Sequence, residues 1–174
     1  MDAPSHTRDH RNPFHNLLHP GAGSLKTLKG LVAFYGLIGL VSLHALSTDL
    51  LDIAESATPA QVAQAVKSGG DPNAVDSVGR TVLMLAAASN PDPAVISALV
   101  RAGSHVNARG PQGWTPLIVA AYSNPTPAVV LALLAAGANP RLRSNAGRTA
   151  FEYAQDNEGL RGTEALRRLR AAGR

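Results

Sequence analysis

The chain contains no cysteine in 174 residues. That excludes disulfide staples, thiolate catalysis and cysteine-bound zinc, and leaves the redox compartment open. Aromatic residues make up only 4% and charged residues 16%. So few rings suit a thin scaffold of alanine and leucine better than a thick globular core, and the length suits one domain. The net charge of +4 is modest, so where the charge sits matters more than its total. Nucleophile elbows, phosphate-binding glycine loops, metalloprotease helices and paired carboxylates in an apolar setting are all missing. No catalytic residue, metal ligand or cofactor site is therefore expected.

Repetition is what the chain does have. Gly79-Arg80-Thr81-Val82-Leu83, Gly113-Trp114-Thr115-Pro116-Leu117 and Gly147-Arg148-Thr149-Ala150-Phe151 lie 34 residues apart. Thr58-Pro59-Ala60, Asp92-Pro93-Ala94 and Thr126-Pro127-Ala128 keep the same step, as do Gly69, Gly103 and Gly137. A fixed period of this size means stacked supersecondary units. Thr or Asp followed by Pro reads as a helix start, and the glycine ten residues on reads as its left-handed stop. Between them Val95, Ile96, Leu99 and Val100, then Val129, Val130, Leu133 and Leu134, form one apolar face each. The stretch from Thr115 to about Ser123 reads as a second short helix, whose alanines let neighbours approach closely.

These segments resemble ankyrin repeats, each a β-turn followed by two antiparallel helices. The T-P-L-H-x-A-A signature appears as Thr115-Pro116-Leu117-Ile118-Val119-Ala120-Ala121 and, more loosely, as Thr81-Val82-Leu83-Met84-Leu85-Ala86-Ala87. The G-A-D/N-x-N-A turn appears as Gly69-Gly70-Asp71-Pro72-Asn73-Ala74 and Gly103-Ser104-His105-Val106-Asn107-Ala108. The signature histidine is replaced by Met84, Ile118 and Glu152, so apolar packing is expected in place of some inter-repeat hydrogen bonds. The resemblance implies an all-α solenoid over residues 48–174. Its expected parts are a degenerate first repeat at 48–75, full repeats at 76–109 and 110–143, and a closing cap at 144–174. Val62, Ala65 and Val66 are expected inward in the first repeat, with Gln61, Gln64 and Lys67 outward. Ala165, Leu166 and Leu169 are expected inward in the last, and Glu152-Tyr153-Ala154-Gln155 reads as polar.

Residues 1–29 read as a disordered tail, rich in proline and glycine, with four of the six histidines: His6, His10, His15 and His19. Pro13 and Pro20 interrupt any helix that would pair these imidazoles, and no carboxylate completes a metal shell. Residues 30–47 carry no formal charge over 18 residues. As a helix they span about 27 Å, close to a hydrocarbon core of about 30 Å. Lys26 and Lys29 precede them; Asp49, Asp52 and Glu55 follow. The expectation is a signal-anchor helix in the inner membrane, N-terminus cytoplasmic and repeats periplasmic. Cleavage near Ala45-Leu46-Ser47 is the rival, giving a secreted or periplasmic product, and a buried helix packed on the repeats is a third reading.

In the resembled family, partners bind a concave surface made by turn tips and first helices. The positions that fall there are Ser77, Val78, Arg80, Gln112, Trp114, Asn145 and Arg148 on turns, and Ala88, Ser89, Tyr122 and Ser123 on helices. Arg80, Gln112, Trp114, Tyr122, Arg148, Ser89 and Ser123 are the candidate contacts. Trp114 and Tyr122 are the expected anchors, because aromatics dominate interface energetics. The alternative for Trp114 is packing on the next turn. Five arginines in the stretch 160–174 read as a soluble helix cap rather than a nucleic-acid site, since no groove-reading motif accompanies them. The expected function is a non-enzymatic protein-binding module. The alternatives are an accessory or protective factor for an exported enzyme, such as an oxidative-stress enzyme, a toxin-blocking immunity protein, or an enzyme with an unrecognised site.

Overall fold

The computed structural model describes residues 49–173. The expected tail at 1–29 and the expected membrane span at 30–47 lie outside them. No helix among the described residues is long and apolar enough to cross a membrane.

Among the described residues, eight α-helices fall into four pairs: α1 (Leu50–Ile53) with α2 (Pro59–Lys67), α3 (Val82–Ser89) with α4 (Pro93–Arg101), α5 (Pro116–Ser123) with α6 (Pro127–Ala135), and α7 (Ala150–Ala154) with α8 (Glu164–Ala172). First helices stack on first helices, and second helices on second helices, giving two rows. The steps are regular. α2, α4 and α6 begin at Pro59, Pro93 and Pro127, and α3, α5 and α7 begin at residues 82, 116 and 150.

The expected start and stop signals mostly act as read. The Thr58 side chain closes a capping box with Gln61, and Asp92 accepts from the Ala94 N–H at 2.8 Å. Thr126 does not cap. Its backbone (φ −90°, ψ 107°) nearly matches that of Asp92 (φ −88°, ψ 109°), so the difference is reach: a carboxylate spans the gap and a hydroxyl does not. The stops at Gly69, Gly103 and Gly137 have φ of 95°, 102° and 90°, a region that side-chain-bearing residues avoid.

The two rows differ in patterning for a physical reason. α3 is buried all round, from Val82 through Ala88, because it lies between neighbours in its own row and its partner helix. α4 faces solvent on one side and buries only Val95, Ile96, Ala98 and Leu99. Val66, Val100, Leu134 and Leu166, all expected inward, are half-buried, since each sits at the border of its helix's apolar stripe. Tyr153, read as polar, is buried. The 34-residue step puts it at the position of Leu85 and Val119, both core residues. Met84 and Ile118 are fully buried, as the missing signature histidine led one to expect.

Inter-repeat hydrogen bonds have not vanished; asparagine side chains supply a regular set of them. Asn90 Nδ2 donates to the Ala54 and Ala57 carbonyls at 3.1 and 2.9 Å. Asn124 donates to Ala87 and Asn90 at 3.1 and 2.9 Å, and Asn157 to Ala121 and Asn124 at the same distances. Each amide oxygen also accepts from its own loop, two residues on. A second ladder runs the other way. Asn73 donates to Gly103 O and accepts from His105 N, and Asn107 donates to Gly137 O and accepts from Asn139 N.

Candidate protein-binding face

Three turns stand at the edge of the stack, each closed by the same pair of backbone bonds. Asp76 N–H donates to Arg80 O and Gly79 N–H to Asp76 O, both at 2.9 Å. Gly110 and Gly113 repeat the pattern with Trp114, and Ser144 and Gly147 repeat it with Arg148. The residue closing each turn therefore occupies one recurring slot just before a first helix. That slot holds Arg80, Trp114 and Arg148.

The three have different fates. The Arg80 side chain is 11% exposed, and its Nε lies 2.6 Å from Asp76 Oδ2. Burial pushes the Asp76 carboxyl up, but hydrogen bonds from the Arg80 backbone and guanidinium, with the guanidinium charge, outweigh it and hold the carboxyl below the usual aspartate range. Arg80 is bound into its own turn, which lowers its availability to a partner. Trp114, the other expected anchor, is only 3% exposed, so little of its ring is open to a partner. Its ring lies 5.2 Å from Tyr122, near-perpendicular at 79°, and 4.9 Å from Tyr153. It packs as an internal ring between Tyr122 of α5 and Tyr153 of α7, both on first helices. Arg148 is 41% exposed, lies 2.7 Å from Asp156, donates to the Glu152 carbonyl, and sits 4.4 Å above the Tyr153 ring.

Tyr122 is half-buried and completes the ring cluster, 5.9 Å from Tyr153 at 86°. The hydroxyl of Tyr153 is matched by Ser144 Oγ at 3.0 Å, so the cluster leaves no buried polar atom unpaired. Ser89 is exposed; Ser123 is half-buried and lies near the Val119 and Ala88 carbonyls at 2.9 and 3.3 Å. Gln112 is exposed with φ 56°, and its carbonyl accepts from Asn145 N–H at 2.8 Å, tying the second and third turns together. Pro111 holds the position equivalent to Asn145 and has no N–H to give, so no such bond ties the first turn to the second.

The structure thus brings Trp114, Tyr122 and Arg148 into one cluster, and sets Ser123 within reach of the carbonyl next to Ser89. Arg80 and Gln112 belong to separate turns. Sequence reading missed Tyr153 as the ring that joins the cluster, and missed Asp76 and Asp156 as partners of the arginines. The four-residue gap between Asp76 and Arg80 was a usable signal. Among the described residues, Val75 and Val78, 56% and 40% exposed, are the large apolar side chains most open to solvent, one just before the first turn and one within it. No group of three metal-ligating side chains occurs among the described residues.

Two rows of paired helices with turn tips along one edge define a repeat protein. A family model for ankyrin repeats, in three copies, matches residues 50–144, and the chain belongs to that family. The match covers the first three helix pairs and ends before α7. No curated protein matches the chain. Ankyrin repeats make this a protein–protein interaction module, and the family is generally non-enzymatic.

Proposed function

We propose that the repeats grip a protein partner across the turn tips and first helices, with Tyr122 as the anchor in place of Trp114. The observation that carries this is the half-buried Tyr122 ring, held by two aromatic neighbours beside the small side chains of exposed Ser89 and half-buried Ser123. A ring fixed before contact loses little freedom on binding, which is what an interface anchor needs. Arg148 supplies a partly open cation at the same cluster, Gln112 a polar tip, and Arg80 a turn stiffener. We place the repeats in the bacterial periplasm, displayed from an anchor at residues 30–47. The uncharged 18-residue run and the lysines before it support that placement.

Two experiments test these readings. In the first, the full-length chain captures its partner from membranes, and the Tyr122→Ala form is compared with it. Loss of roughly tenfold or more in affinity is expected of an interface anchor. Unchanged affinity removes Tyr122 from the role. In the second, a reporter active only in the cytoplasm is fused after Arg174; activity there overturns the orientation.

A further inference from the structure

The arginines of the C-terminal stretch are not equivalent. Arg167 and Arg168 each lie 3.0 Å from Glu164, and Arg161 lies 3.8 Å from Glu158. Arg170 has no ion pair or hydrogen bond among the described residues. It borders a cavity of about 420 Å³ between α7 and α8, with Arg143, Phe151, Glu152 and Gln155 also in the lining. Two more guanidinium groups reach that neighbourhood. Arg109 donates to Arg143 O at 2.8 Å, and Arg141 donates to Ala172 O at 3.3 Å. Carbonyls hold these groups in place but do not neutralise them.

One carboxylate faces this set. Glu152 lies 3.4 Å from Arg143, and it already accepts from Thr149 N at 2.6 Å and Thr149 Oγ1 at 2.8 Å. All three contacts fall on Oε2, and the cap's neutral donors leave the carboxylate its single negative charge. Arg170 alone would be explained by a helix C-terminus, which favours cations. Arg109, Arg141 and Arg143 lie on loops, so that explanation does not extend to them. Four cations against one carboxylate leave an excess of positive charge around a concave site.

We propose that this cavity takes an acidic peptide segment of a protein partner. Its carboxylates pair with Arg143 and Arg170, and an apolar side chain lies on Phe151. Arginine forks match carboxylates in two-point geometry. A flat lipid surface cannot enter a recess of this kind, and the outward arginines that would meet one are paired with Glu164. The proposal rests on the reading of the chain as a protein-binding module, but it uses a different part of the molecule from Tyr122.

The test uses the full-length chain and a fluorescein-labelled Glu-Glu-Leu-Asp-Glu peptide, followed by anisotropy. The Gln-Gln-Leu-Asn-Gln peptide is the neutral control. Arg143→Gln with Arg170→Gln is expected to weaken acidic-peptide binding by roughly tenfold or more, because two partly exposed charged contacts together contribute about that much. Arg170→Gln alone, a change at an exposed and unpaired side chain, is expected to weaken it several-fold without shifting the melting temperature. Arg167→Gln with Arg168→Gln removes equal charge elsewhere and is expected to change binding less than about twofold. Equal binding of the two peptides, or equal loss in the two double variants, overturns the site. Tighter competition by polyuridylate or by phosphatidylglycerol vesicles than by unlabelled acidic peptide overturns the choice of ligand. Failure here with a captured partner still dependent on Tyr122 sinks only the cavity; failure of both sinks the binding-module reading as well.

Discussion

The two edges of the helix stack use the same 34-residue step to opposite ends. On one edge the recurring position keeps its residue: Asn90, Asn124 and Asn157 make the same three hydrogen bonds in turn. On the other edge the recurring slot changes residue, and Arg80, Trp114 and Arg148 end up sealed, buried and half-open. A position that repeats its chemistry is holding the repeats together. A position that varies it is where one repeat becomes unlike the next, and where a partner can tell this scaffold from another.

Substitutions should separate the two edges, and the largest effect tests the slot that crosses over. Trp114→Ala is expected to lower stability by about 3–5 kcal/mol, as for a buried aromatic, read as a lower melting temperature. A loss below about 1 kcal/mol would make Trp114 a surface residue after all and erase the distinction within the slot. Asn124→Ala comes next. It strips donors from the buried Ala87 and Asn90 carbonyls and should cost about 2–3 kcal/mol in denaturant unfolding. Asn124→Asp should not restore it, because a carboxylate cannot donate.

The Asp76 turn gives a smaller, pH-dependent effect. A carboxyl held below its unfolded value stabilises the fold above that value, and the contribution fades as pH falls through the folded value. Unfolding free energy should therefore decline below about pH 4 in the parent. Asp76→Asn should cost about 1 kcal/mol at neutral pH and flatten that decline. An identical acid limb in the variant would show that the Asp76–Arg80 pair contributes nothing. Smallest is Ser89→Ala, at an exposed helix end, where a change beyond about 0.5 kcal/mol would mean the open part of the first-helix row also carries structure.

Much of the fold was legible because its signals are local and repeated. Helix starts at Pro59, Pro93 and Pro127 and stops at Gly69, Gly103 and Gly137 follow from φ preferences and missing N–H groups, which need no tertiary knowledge. The asparagine ladders were not read, although Asn73 with Asn107 and Asn90 with Asn124 keep the same step. Their donors and acceptors belong to neighbouring repeats, and propensity says nothing of bonds across that distance. The candidate face was half legible. Position placed Tyr122 and Ser89 on the open side, but the burial of Trp114 depends on Tyr153, a ring 39 residues further along. The step count would have flagged Tyr153 as interior, since it shares its place with Leu85 and Val119. Its aromatic and polar character argued the other way.

The two asparagine ladders point in opposite directions along the chain. Asn90, Asn124 and Asn157 each reach toward carbonyls that come earlier in the chain, whereas Asn73 and Asn107 reach toward residues that come later. During synthesis, the backward-reaching amides meet acceptors that already exist, so every new rung can latch as soon as its loop emerges. The forward-reaching ones must wait for the rung above. Neighbouring rungs are thus tied by asparagines that reach both ways, like two rows of hooks facing one another.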